Sequence, residues 1–93
     1  MNSKSKVDRH SQICNQLNDL YRRKNNDYGD SFGTSFQEYG MMMTCIRLED
    51  KLNRLKSLLK KPIMVEETIE DTLMDLANYA IMTLIELDIQ NEQ

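Results

Sequence analysis

The stretch Leu73-Met74-Asp75-Leu76-Ala77-Asn78-Tyr79-Ala80-Ile81-Met82-Thr83-Leu84-Ile85 decides the fold. Its apolar residues recur at helical spacing, and Ile69, Leu73, Leu76, Ala80, Leu84 and Leu87 form one continuous stripe. Met74, Ile81, Met82 and Ile85 lie on the opposite side, so this helix, expected over 66–89, is apolar nearly all round. A helix of that kind is buried on every side. A chain of 93 residues can scarcely surround one helix by itself, so oligomerisation, as a homodimer or homotetramer, is expected to complete the bundle.

Two further helices precede it. One is expected over 7–24, with Ile13, Leu17, Leu20 and Tyr21 as its stripe, after a disordered start at residues 1–6. The other is expected over 36–60, with a seam of Met41, Cys45, Leu48, Leu52, Leu55 and Leu59 in the 4-3-4-3-4 spacing of helix packing. Lys60-Lys61-Pro62 ends it, since cations favour a helix C-terminus and proline disfavours helical backbone in the residue before it. No strand pattern competes, and the expected class is all-α: one domain over 1–93, a small bundle of three main helices. Asn25 to Ser35 is rich in turn-forming Asn, Asp, Gly and Ser and reads as a long loop. Phe32 and Phe36 are expected to plug the end of the core, whereas Tyr28 is an open candidate for facing a ligand. Cys45 and the run Met41-Met42-Met43 read as core, and His10 as exposed.

Composition narrows the function. Hydrophobic residues make up 40% and charged residues 29%, which excludes a wholly disordered chain. The longest charge-free run, Leu76 to Ile85, is far short of the roughly 20 residues a bilayer requires, so no membrane span is expected. Met1-Asn-Ser-Lys-Ser-Lys6 has no apolar stretch behind it, and the two cysteines show no metal-ligand spacing, so a cytoplasmic protein with reduced thiols is expected. The net charge of −3 conceals an asymmetry. Residues 1–61 carry all 12 bases against seven acids, and residues 62–93 carry eight acids and no base. With a pI near 5.1, a nucleic-acid partner is not expected. The acidic segment should lie against its own basic half, a partner chain or metal ions.

Asp75 is the one charge inside the apolar stretch, with Asp71 one turn before it and Asn78 nearly one turn after. A carboxylate withdrawn from water requires a cation. Antiparallel packing of the last two helices could bring Glu49, Asp50, Asp71 and Asp75 together as hard-oxygen ligands for Mg²⁺ or Mn²⁺, and Arg47, Lys51, Arg54 and Lys56 are suited to phosphate oxygens. Each group also has a plainer reading. Glu49 can pair with Lys56 or Asn53 on its own helix, Asp71 stands three residues after Thr68 at capping-box spacing, and Asp75 can be one half of a salt bridge between chains.

Three blocks carry a resemblance: Lys24-Asn-Asn-Asp-Tyr-Gly-Asp-Ser-Phe32, Arg47-Leu-Glu-Asp-Lys-Leu-Asn-Arg54 and Glu70-Asp-Thr-Leu-Met-Asp-Leu-Ala-Asn-Tyr-Ala80. Together, across residues 13–88, the sequence resembles the nucleotide modification associated domain 1 family of small helical proteins from bacteria and their phages. More distantly it is similar to the all-α nucleoside triphosphate pyrophosphatases, the MazG and dimeric dUTPase superfamily. There the motifs Glu-Glu-x-x-Glu and Glu-x-x-Asp bind magnesium. Glu49 and Asp50 match the first two acids, Asp75 the final aspartate; Asn53 and Thr72 stand where two others should be.

The resemblance implies an Mg²⁺-dependent nucleotide pyrophosphohydrolase, releasing monophosphate and pyrophosphate. Glu49 would be general base, and Glu49, Asp50, Asp71 and Asp75 would be metal ligands. Lys51, Arg54 and Arg47 would face phosphates, and Asn26, Asp27 and Tyr28 the base, with Lys24, Asn53 and Asn78 nearby. The alternatives on the same fold are a non-catalytic nucleotide-binding protein and a helical protein-interaction module.

Overall fold

In the computed structural model, which describes residues 3–60 and 68–93, the chain is all-α. Four helices follow one another: α1 (Lys6–Tyr28), α2 (Ser31–Tyr39), α3 (Met41–Lys60) and α4 (Ile69–Asn91). Among the described residues there is no strand. Lys61 and Pro62, expected to end one helix, and position 66, expected to begin the last, lie outside them.

The expected loop after residue 24 is largely helical. Asn25, Asn26 and Asp27 continue α1 to Tyr28, and only Gly29 and Asp30 separate it from α2. Gly29 ends α1 in the left-handed region (φ 71°), its N–H donating to the Asn25 carbonyl over 2.8 Å. Asp30 then caps α2, its carboxylate accepting from the Gly33 N–H at 3.1 Å. Gly40 (φ 68°) repeats the device between α2 and α3, where one continuous helix had been expected from Phe36 onwards. The turn-forming residues thus act as caps of short helices. At the N-terminus, Ser5 caps α1 by accepting from the Asp8 N–H, so helix begins at Lys6, within the segment expected to be disordered.

α3 and α4 are the main packed pair. They run antiparallel: Thr44 near the start of α3 hydrogen-bonds Thr83 near the end of α4 at 2.9 Å, while Lys51 further along α3 meets Asp75 earlier in α4. α2 closes one end. Phe32 and Phe36 are buried with Met43, and Tyr79, Met82 and Leu87 of α4 pack against them. α1 lies along α4, fixed where the buried Asn78 amide donates to the Leu17 carbonyl at 3.2 Å.

The seams expected to form the core do not form it. On α3, Cys45 is exposed, as are Met41, Met42, Leu52 and Leu59. The residues turned towards α4 are Thr44, Leu48, Lys51, Leu55 and Leu58, displaced part of a turn from the expected seam. On α4 the buried residues are Thr72, Asn78, Thr83 and Glu86, whereas Leu73 and Leu84 are 48% and 64% exposed. Thr44, Thr72, Asn78 and Thr83 each have a hydrogen-bond partner, and among the described residues no fully buried side-chain nitrogen or oxygen is left unsatisfied.

Candidate functional site

A cleft of about 310 Å³ opens between the C-terminal half of α1, the α1–α2 junction and the middle of α4, with Arg47 of α3 at its edge. The volume is at the lower end of that of small-molecule sites. Tyr21, Tyr28, Phe32 and Tyr79 give it aromatic walls, and Lys24, Arg47, Asn25, Asn78, Asp30 and Asp75 give it polar groups. Phe32 and Tyr79 stack, their ring centroids 5.9 Å apart and their planes 15° from parallel, which holds Tyr79 rigid at the wall. Tyr28, the last residue of α1, is 76% exposed and presents a free ring at the mouth.

Asp75 occupies the floor with only 15% of its side chain exposed. Lys24 Nζ contacts one carboxylate oxygen at 3.1 Å and Lys51 Nζ the other at 2.9 Å. The cation that the buried carboxylate required is therefore a pair of lysines, one from α1 and one from α3. Lys51 is itself only 22% exposed, whereas Lys24 is 54% exposed.

The expected carboxylate cluster is distributed differently. Asp71 completes a capping box at the start of α4: its backbone N–H donates to the Thr68 hydroxyl at 3.0 Å, and its carboxylate accepts from the Thr68 N–H at 3.2 Å. Glu49 and Asp50 are exposed. Glu49 precedes the inward-facing Lys51 by two positions, roughly 200° around the helix, so it points away from α4. Among the described residues no three His, Cys, Asp or Glu side chains come together to hold a metal ion. The reason is local: Asp71 is held by its own helix terminus, and α3 presents Lys51 to Asp75 while Glu49 and Asp50 stay exposed.

Of the other residues named from sequence, Lys24, Tyr28, Arg47, Asp75 and Asn78 line the cleft. Asn26, Asp27, Asn53 and Arg54 are exposed and outside its lining. His10 is exposed and shares a 3.7 Å contact with Cys14. The cleft adds Tyr21, Asn25, Asp30, Tyr79 and Met82. The signal that could have found them is α1 itself: Tyr21, Lys24, Asn25 and Tyr28 recur at 3-1-3 spacing, one helical face once the helix is extended to Tyr28.

Fold and cleft define a class: a small all-α protein with an aromatic, cation-edged cleft between its first and last helices. The family model described as nucleotide modification associated domain 1 matches residues 24–87, from the cleft lysine to the end of the α4 packing surface, and the chain belongs to that family. Neither a curated protein nor a solved structure shows significant similarity to it. Among the described residues no helix is long and apolar enough to cross a membrane.

Proposed function

We propose that the cleft binds a nucleotide, with the base against Tyr28 and the phosphate directed to Lys24 and Arg47. The observation that carries this reading is the combination in one cavity of exposed and rigid rings with two cations. An exposed tyrosine suits base stacking, which is worth about 1–3 kcal/mol and tolerates any base. Arg47 offers paired donors suited to phosphate oxygens, and Lys24 offers a point charge. Asn25, Asn78 and Asp30 are the groups placed to read base or sugar edges. Membership of a nucleotide modification associated family points the same way.

The hydrolytic reading, with Mg²⁺ or Mn²⁺ held by Glu49, Asp50, Asp71 and Asp75, requires carboxylates gathered on one face. These residues do not fit such a centre within one chain: Asp75 is paired with two lysines, Asp71 caps α4, and Glu49 faces away. Binding is therefore the function the geometry supports.

Calorimetric titration with deoxynucleoside mono- and triphosphates, with and without Mg²⁺, tests it. Tyr28→Ala should weaken binding roughly 10- to 100-fold, equivalent to the stacking term, with stability unchanged because the ring is exposed. Absence of binding by any nucleotide at millimolar concentration refutes the reading. Pyrophosphate release in the presence of Mg²⁺ would restore the hydrolytic alternative.

A further inference from the structure

The same local device occurs twice in the chain. Tyr28-Gly29 ends α1 and Tyr39-Gly40 ends α2, each glycine in the left-handed region with its N–H donating to the carbonyl four residues back. In both places the helix stops at a tyrosine whose ring is left outside, 76% exposed at Tyr28 and 65% at Tyr39. Neither ring joins the core of Phe32, Phe36 and Met43. Each stands at a hollow instead. Tyr28 lines the cleft, and Tyr39 lines a second hollow of about 360 Å³ together with Met42, Met43, Ile46 and Arg47.

Arg47 belongs to both linings, so its side chain joins the two hollows. Among the described residues it makes no ion pair or hydrogen bond, whereas Lys24 and Lys51 are both committed to Asp75, and Asp30 is committed to capping α2. The uncommitted charge is therefore a single positive one, set between two ring-edged spaces. Along α2, Phe32 at the cleft and Tyr39 at the second hollow are separated by about 10 Å of helix. That is roughly three times the 3.4 Å step between stacked bases. Two bases reaching both places are splayed to either side of a phosphate, the form in which aromatic side chains take up unstacked bases.

We infer that the cleft and the second hollow together take a dinucleotide, two nucleosides joined through one phosphate. The phosphodiester lies at Arg47, one base on Tyr28 and the other on Tyr39 against Met42 and Ile46. The inference rests on the nucleotide-binding reading of the cleft and adds the other half of its ligand. Charge favours this class over a triphosphate, whose several charges would face one unpaired cation. It also favours a free dinucleotide over a long strand, because a chain of net charge −3 repels a polyanion.

Calorimetric titration with d(TpT), d(ApA) and the matching nucleoside monophosphates tests it. Each dinucleotide should bind about tenfold or more tightly than its mononucleotide, the gain from one added base-on-ring stack. Tyr39→Ala should remove that gain and leave mononucleotide binding unchanged, while Tyr39→Phe keeps it; the position is exposed, so neither change disturbs the fold. A thymidine strand of about eight units should bind no more tightly per site than d(TpT), whereas affinity climbing with length would assign the surface to nucleic acid and overturn the inference. Equal affinity for mono- and dinucleotides overturns it while leaving the cleft reading intact. So does a Tyr39→Ala variant that weakens both ligands alike, or an Ile46→Glu variant whose mass by light scattering falls below that of wild type, which would show that protein covers the hollow. Failure of every nucleotide to bind removes the cleft reading as well, so the two failures are distinguishable.

Discussion

The two sides of α4 invert the usual amphipathic arrangement. The side turned into the chain carries Thr72, Asp75, Asn78, Thr83 and Glu86, while the side turned outwards carries Leu73, Ala77, Ala80 and Leu84. Polar residues can fill an interior when each finds a partner. Here Thr83 meets Thr44, Asn78 meets a backbone carbonyl of α1, and Asp75 meets two lysines. Directional bonds of this kind fix where α1 and α3 sit and so shape the cleft. The apolar side has no directional demand and needs only coverage. Polar contacts on one side of the helix thus specify how the helices sit on one another, and the apolar side is left open to solvent.

Truncations on each side should separate these roles. Phe36 is 2% exposed at the centre of the small aromatic core, so Phe36→Ala should cost about 3–5 kcal/mol of folding stability, measured by urea denaturation. Leu84→Ala, on the open flank, should change the unfolding free energy by less than about 0.5 kcal/mol. Equal costs at the two positions would mean that the flank is already packed within a single chain, and the distinction between the sides would collapse.

Asp75 gives a sharper test within the polar side. Asp75→Asn keeps the shape but leaves half-buried Lys51 facing an uncharged amide, so stability should fall by roughly 1–3 kcal/mol. Lys24→Met should cost under about 1 kcal/mol, because that lysine is more than half exposed and its pairing is screened. Were Asp75 a carboxylate awaiting a metal, Asp75→Asn would stabilise the metal-free protein. The sign of the change distinguishes the two.

The helices themselves were legible in the sequence because periodicity reports helix existence whatever covers the helix. Which stripe is buried by which surface was not. The seams at Met41–Leu59 and Ile69–Leu87 describe apolar faces accurately, but α3 and α4 meet along a neighbouring polar line whose pairings link positions 24 and 39 apart in sequence. Local spacing carries no trace of such a partner. For the same reason the lysines of Asp75 could not be named from the chain, since Lys24 is 51 residues away. Asp71 was different. Its partner is three residues distant, and the Thr68 spacing already held the capping-box alternative that the structure contains. The segment 25–39 misled in the opposite direction: Asp30, Gly29 and Gly40 carry turn chemistry, yet they serve as caps around a nine-residue helix.

The smallest expected effect probes whether the interior hydroxyls stabilise the fold or only select it. Thr44 and Thr83 are both buried, their hydroxyls 2.9 Å apart, and the Thr83 hydroxyl donates to the Tyr79 carbonyl at 2.8 Å, which leaves Thr44 as donor between the two. Thr83→Val removes the acceptor and strands the Thr44 hydroxyl against apolar surroundings, at a cost of about 1 kcal/mol. Adding Thr44→Val removes the stranded group as well and substitutes methyl contact of nearly equal volume. The double variant should return to within about 0.5 kcal/mol of wild type, because a buried hydrogen bond is costly to break from one side and nearly neutral to replace from both. If the double variant stays as stable as wild type but loses its sharp unfolding transition, the pair serves register between α3 and α4 rather than free energy. If instead the two costs simply add, the hydroxyls do not act on each other, and the polar side of α4 is held by Asn78 and Asp75 alone.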